Sequence, residues 1–179
     1  MKREAGFTLL EIAAVLVLVG ILSAVAGFGI VQGVEGYVWA QNNAETTQKA
    51  QLALSRITRE LRELSSINSA SSNTVIIFTT PSGARTIGQN GSYIKWDDDD
   101  TVADGDILTD GVSATSGFGI TYFDRSGVSQ AASFFTNPQN LARVDLRLRL
   151  SRPEVATGYL EFTTSVVPRR TGTQNAPKG

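Results

Sequence analysis

The chain has no cysteine and no histidine. A thiol nucleophile, a hydroxyl activated by an imidazole base and the usual zinc ligand sets are therefore excluded. Lack of disulfides does not argue against export, because a domain of about 100 residues is stable without them. No proline precedes Pro81, so nothing forces a helix break before it. Charge is missing from one long stretch: after Glu11 the next charged side chain is Glu35. Net charge is −1 over 179 residues, which gives no general drive toward nucleic acid.

That uncharged stretch belongs to an apolar run from Phe7 to about Val34. Its inner part, residues 12–31, is long enough as a helix to span roughly 30 Å of hydrocarbon. Two ordinary readings exist. One is a plain N-terminal membrane anchor. The other is a secretory signal peptide, with Lys2 and Arg3 in front and Ala24-Val25-Ala26 before Gly27 as a cleavage pattern. Neither accounts for Glu11. A carboxylate near the centre of a membrane helix costs about 2.5–3.5 kcal/mol on insertion scales, so a chain that carries one needs a partner for it.

The segment Gly6-Phe7-Thr8-Leu9-Leu10-Glu11 resembles the processing site of type IV pilins and of the pseudopilins of type II secretion. The resemblance covers the basic start and the whole apolar helix. It implies a leader of residues 1–6 removed by a prepilin peptidase after Gly6, and methylation of the new N-terminus at Phe7. Glu11 then stands fifth in the mature chain. In a stack of helices its carboxylate can meet the Phe7 ammonium of a neighbour, and each charge offsets the burial cost of the other only when both are present. The resemblance thus makes Glu11 an assembly and register device. It implies other pilin or pseudopilin subunits as partners through their N-terminal helices, and an inner-membrane assembly platform. It also implies a bacterial inner-membrane location before assembly, with the globular part outside the cytoplasm.

Beyond the apolar run (residues 7–34) the helical pattern continues over residues 35–67. Leu54, Ile57, Leu61 and Leu64 recur at spacings of three and four, with charged side chains mostly on the other faces. This stripe reads as a core face. Gly27, Gly29, Gly33 and Gly36 weaken the helix, and melting or curvature is expected there. Residues 68–168 then read as an antiparallel β domain. Strand signals occur at residues 75–79, at 93–96 after the Asn90-Gly91 turn, at 119–123, at 143–150 and at 159–167. In 143–150 Val144, Leu146, Leu148 and Leu150 alternate with Arg143, Asp145, Arg147 and Arg149, the period of a strand with one buried face. The polar end, residues 169–179, reads as a disordered tail. The expected class is α+β, a long N-terminal helix packed on an antiparallel sheet.

Three looser stretches are similar to minor pseudopilins of the J type and to W-type minor pilins. They are Asp106-Ile107-Leu108-Thr109-Asp110-Gly111-Val112, the segment 119–127, and Asn140-Leu141-Ala142-Arg143-Val144. With the helix stretch 54–64, they imply a minor subunit that primes assembly at a filament tip. The lack of cysteine departs from many major pilins, whose C-terminal loop is closed by a disulfide. A major pilin, a minor pilin for DNA uptake or adhesion, and an exported domain on an ordinary anchor stand as alternatives. No nucleophile–base constellation marks the chain as an enzyme.

Asp97, Asp98, Asp99, Asp100, Asp104 and Asp106 form the one cluster suited to a cation, calcium, which takes six to eight oxygens. Some pseudopilins hold calcium in this part of the domain. The spacing does not match an EF-hand, since Val102 takes one of the required acidic places. The competing reading is a solvated acidic loop with no cofactor. Arg143, Arg147, Arg149 and Arg152 form a basic edge on the alternating strand. Phosphate contacts use such residues, but the edge equally suits salt bridges to the acidic loop or to a neighbouring subunit.

Overall fold

The computed structural model describes residues 8–114, 116–152 and 158–169. The expected leader, Phe7 and all of the expected tail except Arg169 lie outside the described residues. Among the described residues one long helix, α1 (Leu9–Arg62), is followed by nine strands. They are β1 (Ser66–Ile67), β2 (Val75–Thr80), β3 (Gly83–Asn90), β4 (Tyr93–Asp97), β5 (Asp106–Thr109), β6 (Phe118–Asp124), β7 (Ser129–Gln130), β8 (Leu141–Ser151) and β9 (Tyr159–Val166). Two short 3-10 turns, Ala132–Thr136 and Pro138–Asn140, lie between β7 and β8. The chain divides into two compact units, Met1–Asn42 and Asn43–Gly179.

In the first unit the helix runs unbroken through Gly27, Gly29, Gly33 and Gly36, against the expected melting. Each glycine keeps its backbone N–H, so the hydrogen-bond ladder continues where a proline would have cut it. Among the described residues of this unit no apolar side chain is buried.

The second unit is the α+β fold, a helix packed on antiparallel strands. Ala50, Ala53, Leu54, Ile57 and Leu61 form the buried face of α1. They share one core with Ile76, Phe78, Ile87 and Ile94 on one side and Ile120, Tyr122, Val144, Leu146 and Leu148 on the other. The helix stops at Arg62, short of the expected Ile67. Leu64 is still fully buried, but it reaches the core from the turn that follows, and Ser66 and Ile67 pair with Thr79 and Phe78 as a strand. Periodic burial outlasts the helix here, so spacing alone overran its end.

The strands form two antiparallel sheets, β1-β2-β3-β4-β5 and β7-β6-β8-β9. The Asn90-Gly91 signal is the β3–β4 hairpin, and Gly91 takes a positive φ of 61°, which glycine adopts without the penalty a Cβ brings. Single contacts tie the sheets together. Val112 bridges Leu150, and the N–H of Ile120 donates to the carbonyl of Asn73 at 2.8 Å. The Tyr122 hydroxyl reaches the Ser72 carbonyl at 3.1 Å, and burial holds its ionisation above the ordinary tyrosine range.

Candidate functional site

The N-terminal site begins with a helix cap. Thr8 precedes the first helical residue, and its hydroxyl accepts a hydrogen bond from the N–H of Glu11 at 3.3 Å. Thr8-Leu9-Leu10-Glu11 is therefore a capping-box sequence, with the acid at its third helical position. Sequence reading passed over Thr8, although the T-x-x-E spacing was there to be read. The cap matters for Glu11. A carboxylate in the first turn faces the N–H end of the helix, which is favourable in itself. Among the described residues the Glu11 carboxylate makes no ion pair. Gly6 and Phe7, the expected processing residues, lie outside the described residues.

After this cap the helix presents a continuous apolar surface. Leu9, Leu10, Leu16, Leu22, Phe28 and Ile30 are all exposed. It is the one helix among the described residues long and apolar enough to cross a membrane. Such a surface calls for lipid or for other helices. Tyr37 and Trp39, both exposed, follow the apolar run where a spanning helix places its interfacial aromatics.

Residues 1–27 match the family model of the prokaryotic N-terminal methylation motif. The match contains Gly6, Phe7, Thr8 and Glu11, and it supports the type IV pilin and pseudopilin class. The motif points to a structural subunit. It implies processing by a prepilin peptidase and assembly with other pilin subunits, and together with the apolar helix it fits membrane anchoring before assembly. No curated protein and no solved structure matches the chain.

The acidic stretch forms the β4–β5 loop. Asp97, Asp99 and Asp104 bring carboxylate oxygens within 4.8 Å of one another; Asp98, Asp100 and Asp106 stand outside that group. Oxygens bound to one calcium at about 2.3–2.6 Å lie no more than about 5 Å apart, so the three fit around a single ion. They supply about half of the oxygens it needs. The loop is also closed by its own donors. The Thr101 N–H bonds Asp99 Oδ1 at 2.7 Å and the Thr101 hydroxyl bonds Asp104 Oδ1 at 3.2 Å. The buried Thr86 hydroxyl donates to the Asp99 carbonyl. Gly105 is required for the close return of the chain, since a Cβ there would lie 2.5 Å from the Trp96 carbonyl oxygen.

Other charges are matched locally. Lys49 on α1 pairs with Asp110 at 3.1 Å and with Glu45 at 3.2 Å. The hydrogen bond that Lys49 donates to Asp110, then the one it donates to Glu45, raises the lysine above its ordinary value. On β8, Arg143 pairs with Asp145 at 2.8 Å and lies over the Phe123 ring at 4.2 Å. Arg149 pairs with Glu161 at 2.6 Å and lies over Tyr159 at 4.6 Å. These acids sit on β8 and β9, so the anticipated bridge from the arginines to the acidic loop is not how either charge is met. Asp145 lies two residues from Arg143 along the same strand, and Glu161 stands directly opposite Arg149 on β9, where a cross-strand pair meets.

Proposed function

We propose that this chain is a structural subunit of a type IV pilus or a type II secretion pseudopilus, processed after Gly6 and assembled through its N-terminal helix. The observation that carries the reading is the methylation motif over residues 1–27, which holds Gly6, Phe7 and Glu11 in one segment. Cleavage creates an ammonium at Phe7. The Glu11 carboxylate of a neighbouring subunit is its counter-charge, and the exposed apolar helix packs among its equals once it leaves the lipid.

Within that reading we take the chain as a minor subunit that primes assembly at the filament tip. The support is the likeness of residues 106–112, 119–127 and 140–144 to minor subunits, together with the missing cysteines. The β domain then lies outside the cytoplasm.

The experiment is the N-terminal mass of the mature protein. A chain starting at methylated Phe7 is the expected result. A start at Met1 returns the chain to an ordinary anchor, and a start at Gly27 makes it a secreted domain.

A further inference from the structure

The outer face of the β7-β6-β8-β9 sheet carries Arg143, Asp145, Arg147 and Arg149 in line along β8. Arg143 with Asp145, and Arg149 with Glu161, cancel in pairs. Both of these arginines also cover an aromatic ring. Arg147 has none of this. Among the described residues it makes no ion pair, no hydrogen bond and no ring contact, and its Nε is buried without an acceptor. A buried guanidinium N–H with no partner is desolvated without return.

Two features keep the side chain there. Arg147 stands opposite Gly119 on β6 and Thr163 on β9. A Cβ at Gly119 would lie 3.2 Å from Arg147 Nη2 and 3.3 Å from Nε, so the bare backbone of β6 gives the guanidinium its bed. A glycine inside a strand often marks such a close approach. Over it opens a cavity of about 700 Å³, rimmed by Thr121, Thr163, Ser165, Asn73 and Asp145. The face therefore offers one unmatched positive charge with hydroxyls and an amide around it.

The Nε–Nη2 edge of an arginine matches the two oxygens of a carboxylate. Asp145 at the rim disfavours a dianion such as phosphate, and Phe118, the aromatic residue on the lining, is buried in the core and presents no free ring face to stack a base or a sugar. A single open pair is too weak to retain a small free acid, so an occupant needs further contacts along the hydroxyl rim. We propose that Arg147, bedded on Gly119, is a docking site for an acidic side chain carried on a peptide segment of a partner protein. This does not depend on the N-terminal reading.

The test uses full-length protein in detergent micelles with 15N-labelled arginine. The Arg147 Nε–Hε signal is assigned by its loss in Arg147→Lys. Capped Ala–Glu–Ala, capped Ala–Gln–Ala and sodium acetate are titrated at constant ionic strength. The glutamate peptide is expected to move the Arg147 signal, the glutamine peptide to leave it in place, and acetate to act only at about tenfold higher concentration. Gly119→Ala should abolish the response while the Arg143 and Arg149 signals stay put. No response to the glutamate peptide, or an equal response to the glutamine peptide, overturns the proposal. Acetate acting as strongly as the peptide overturns the peptide source and leaves a small-anion site.

Discussion

Gln89 on β3 accepts a hydrogen bond from the backbone N–H of Phe118 on β6 at 2.9 Å, joining two sheets that share no ladder. The same side chain donates to the carbonyls of Gly91 at 2.9 Å and Ser113 at 3.0 Å. One amide thus satisfies a donor and two acceptors where the sheets meet. Gln89→Leu leaves the Phe118 N–H without an acceptor beside a fully buried ring, and should cost about 1–3 kcal/mol. Gln89→Glu keeps the acceptor but turns an oxygen toward two carbonyls, so it should destabilise at least as much. Chemical denaturation of the full-length protein checks both.

The two faces of α1 should respond very differently to truncation. Ile57 is fully buried, whereas Leu52 is 63 % exposed. Ile57→Ala removes packed methyl groups and leaves a cavity, for a loss of about 2–5 kcal/mol. Leu52→Ala should fall within about 0.5 kcal/mol of the unaltered protein. Equal losses would mean that the exposed face is covered by something else in the folded protein.

These two cases also mark how far the amino-acid pattern reaches. The face of α1 was legible because Leu54, Ile57, Leu61 and Leu64 repeat with the helix, and β8 because Val144, Leu146, Leu148 and Leu150 repeat with the strand. The N-terminal methylation motif was legible because it lies within a few consecutive residues. Gln89 gave no sign, since two of its three partners, Ser113 and Phe118, lie more than twenty residues away in the chain. Arg147 looked like one of four equivalent arginines, and only the strand register separates it from the two that are paired. The two-residue strands β1 and β7 are too short to carry any period, so the second sheet edge and the early end of α1 were invisible.

Asp124 closes the β6–β7 turn. Its Oδ1 accepts from the N–H groups of Val128 at 3.0 Å and Ser126 at 2.9 Å, and its Oδ2 from Gln130 at 3.3 Å. The Val128 N–H, followed by the Gln130 amide, holds its pKa below the ordinary aspartate value. Protons therefore bind the unfolded chain more readily at this group. Its stabilisation is present above the usual carboxylate value of about 4 and fades as pH falls through the lower folded value. Thermal unfolding from about pH 5 to about pH 3 should show a smaller fall for Asp124→Asn than for the unaltered protein. An identical fall in both would assign the acid sensitivity to other carboxylates.

The acidic loop has two readings that a titration separates. Asp97, Asp99 and Asp104 fit one ion but leave about half of its oxygens to backbone and water, so any site here belongs to the weak, extracellular class of about 10⁻⁴–10⁻³ M. Calcium below that range should not move the thermal midpoint of the full-length protein. A shift at millimolar calcium that disappears in Asp104→Asn would establish the site. A shift that survives Asp104→Asn, or that magnesium reproduces, would mean general screening of a repulsive loop.

Glu11 has two physical roles, and they can be pulled apart. As the third helical residue after Thr8 it suits a capping box, a role that glutamine fills almost as well. As the counter-charge to a neighbour's Phe7 ammonium it must be ionised. Glu11→Gln should therefore insert in the membrane and be processed normally, yet enter filaments as poorly as Glu11→Val. Pulse labelling, the N-terminal mass and the amount of subunit in sheared filaments report the three steps. Thr8→Ala weakens the cap while sparing the charge, and should leave incorporation close to normal. If Glu11→Gln assembles well and Thr8→Ala does not, the residue is retained for its cap, and the register of the stack has to come from the apolar faces of the helices alone.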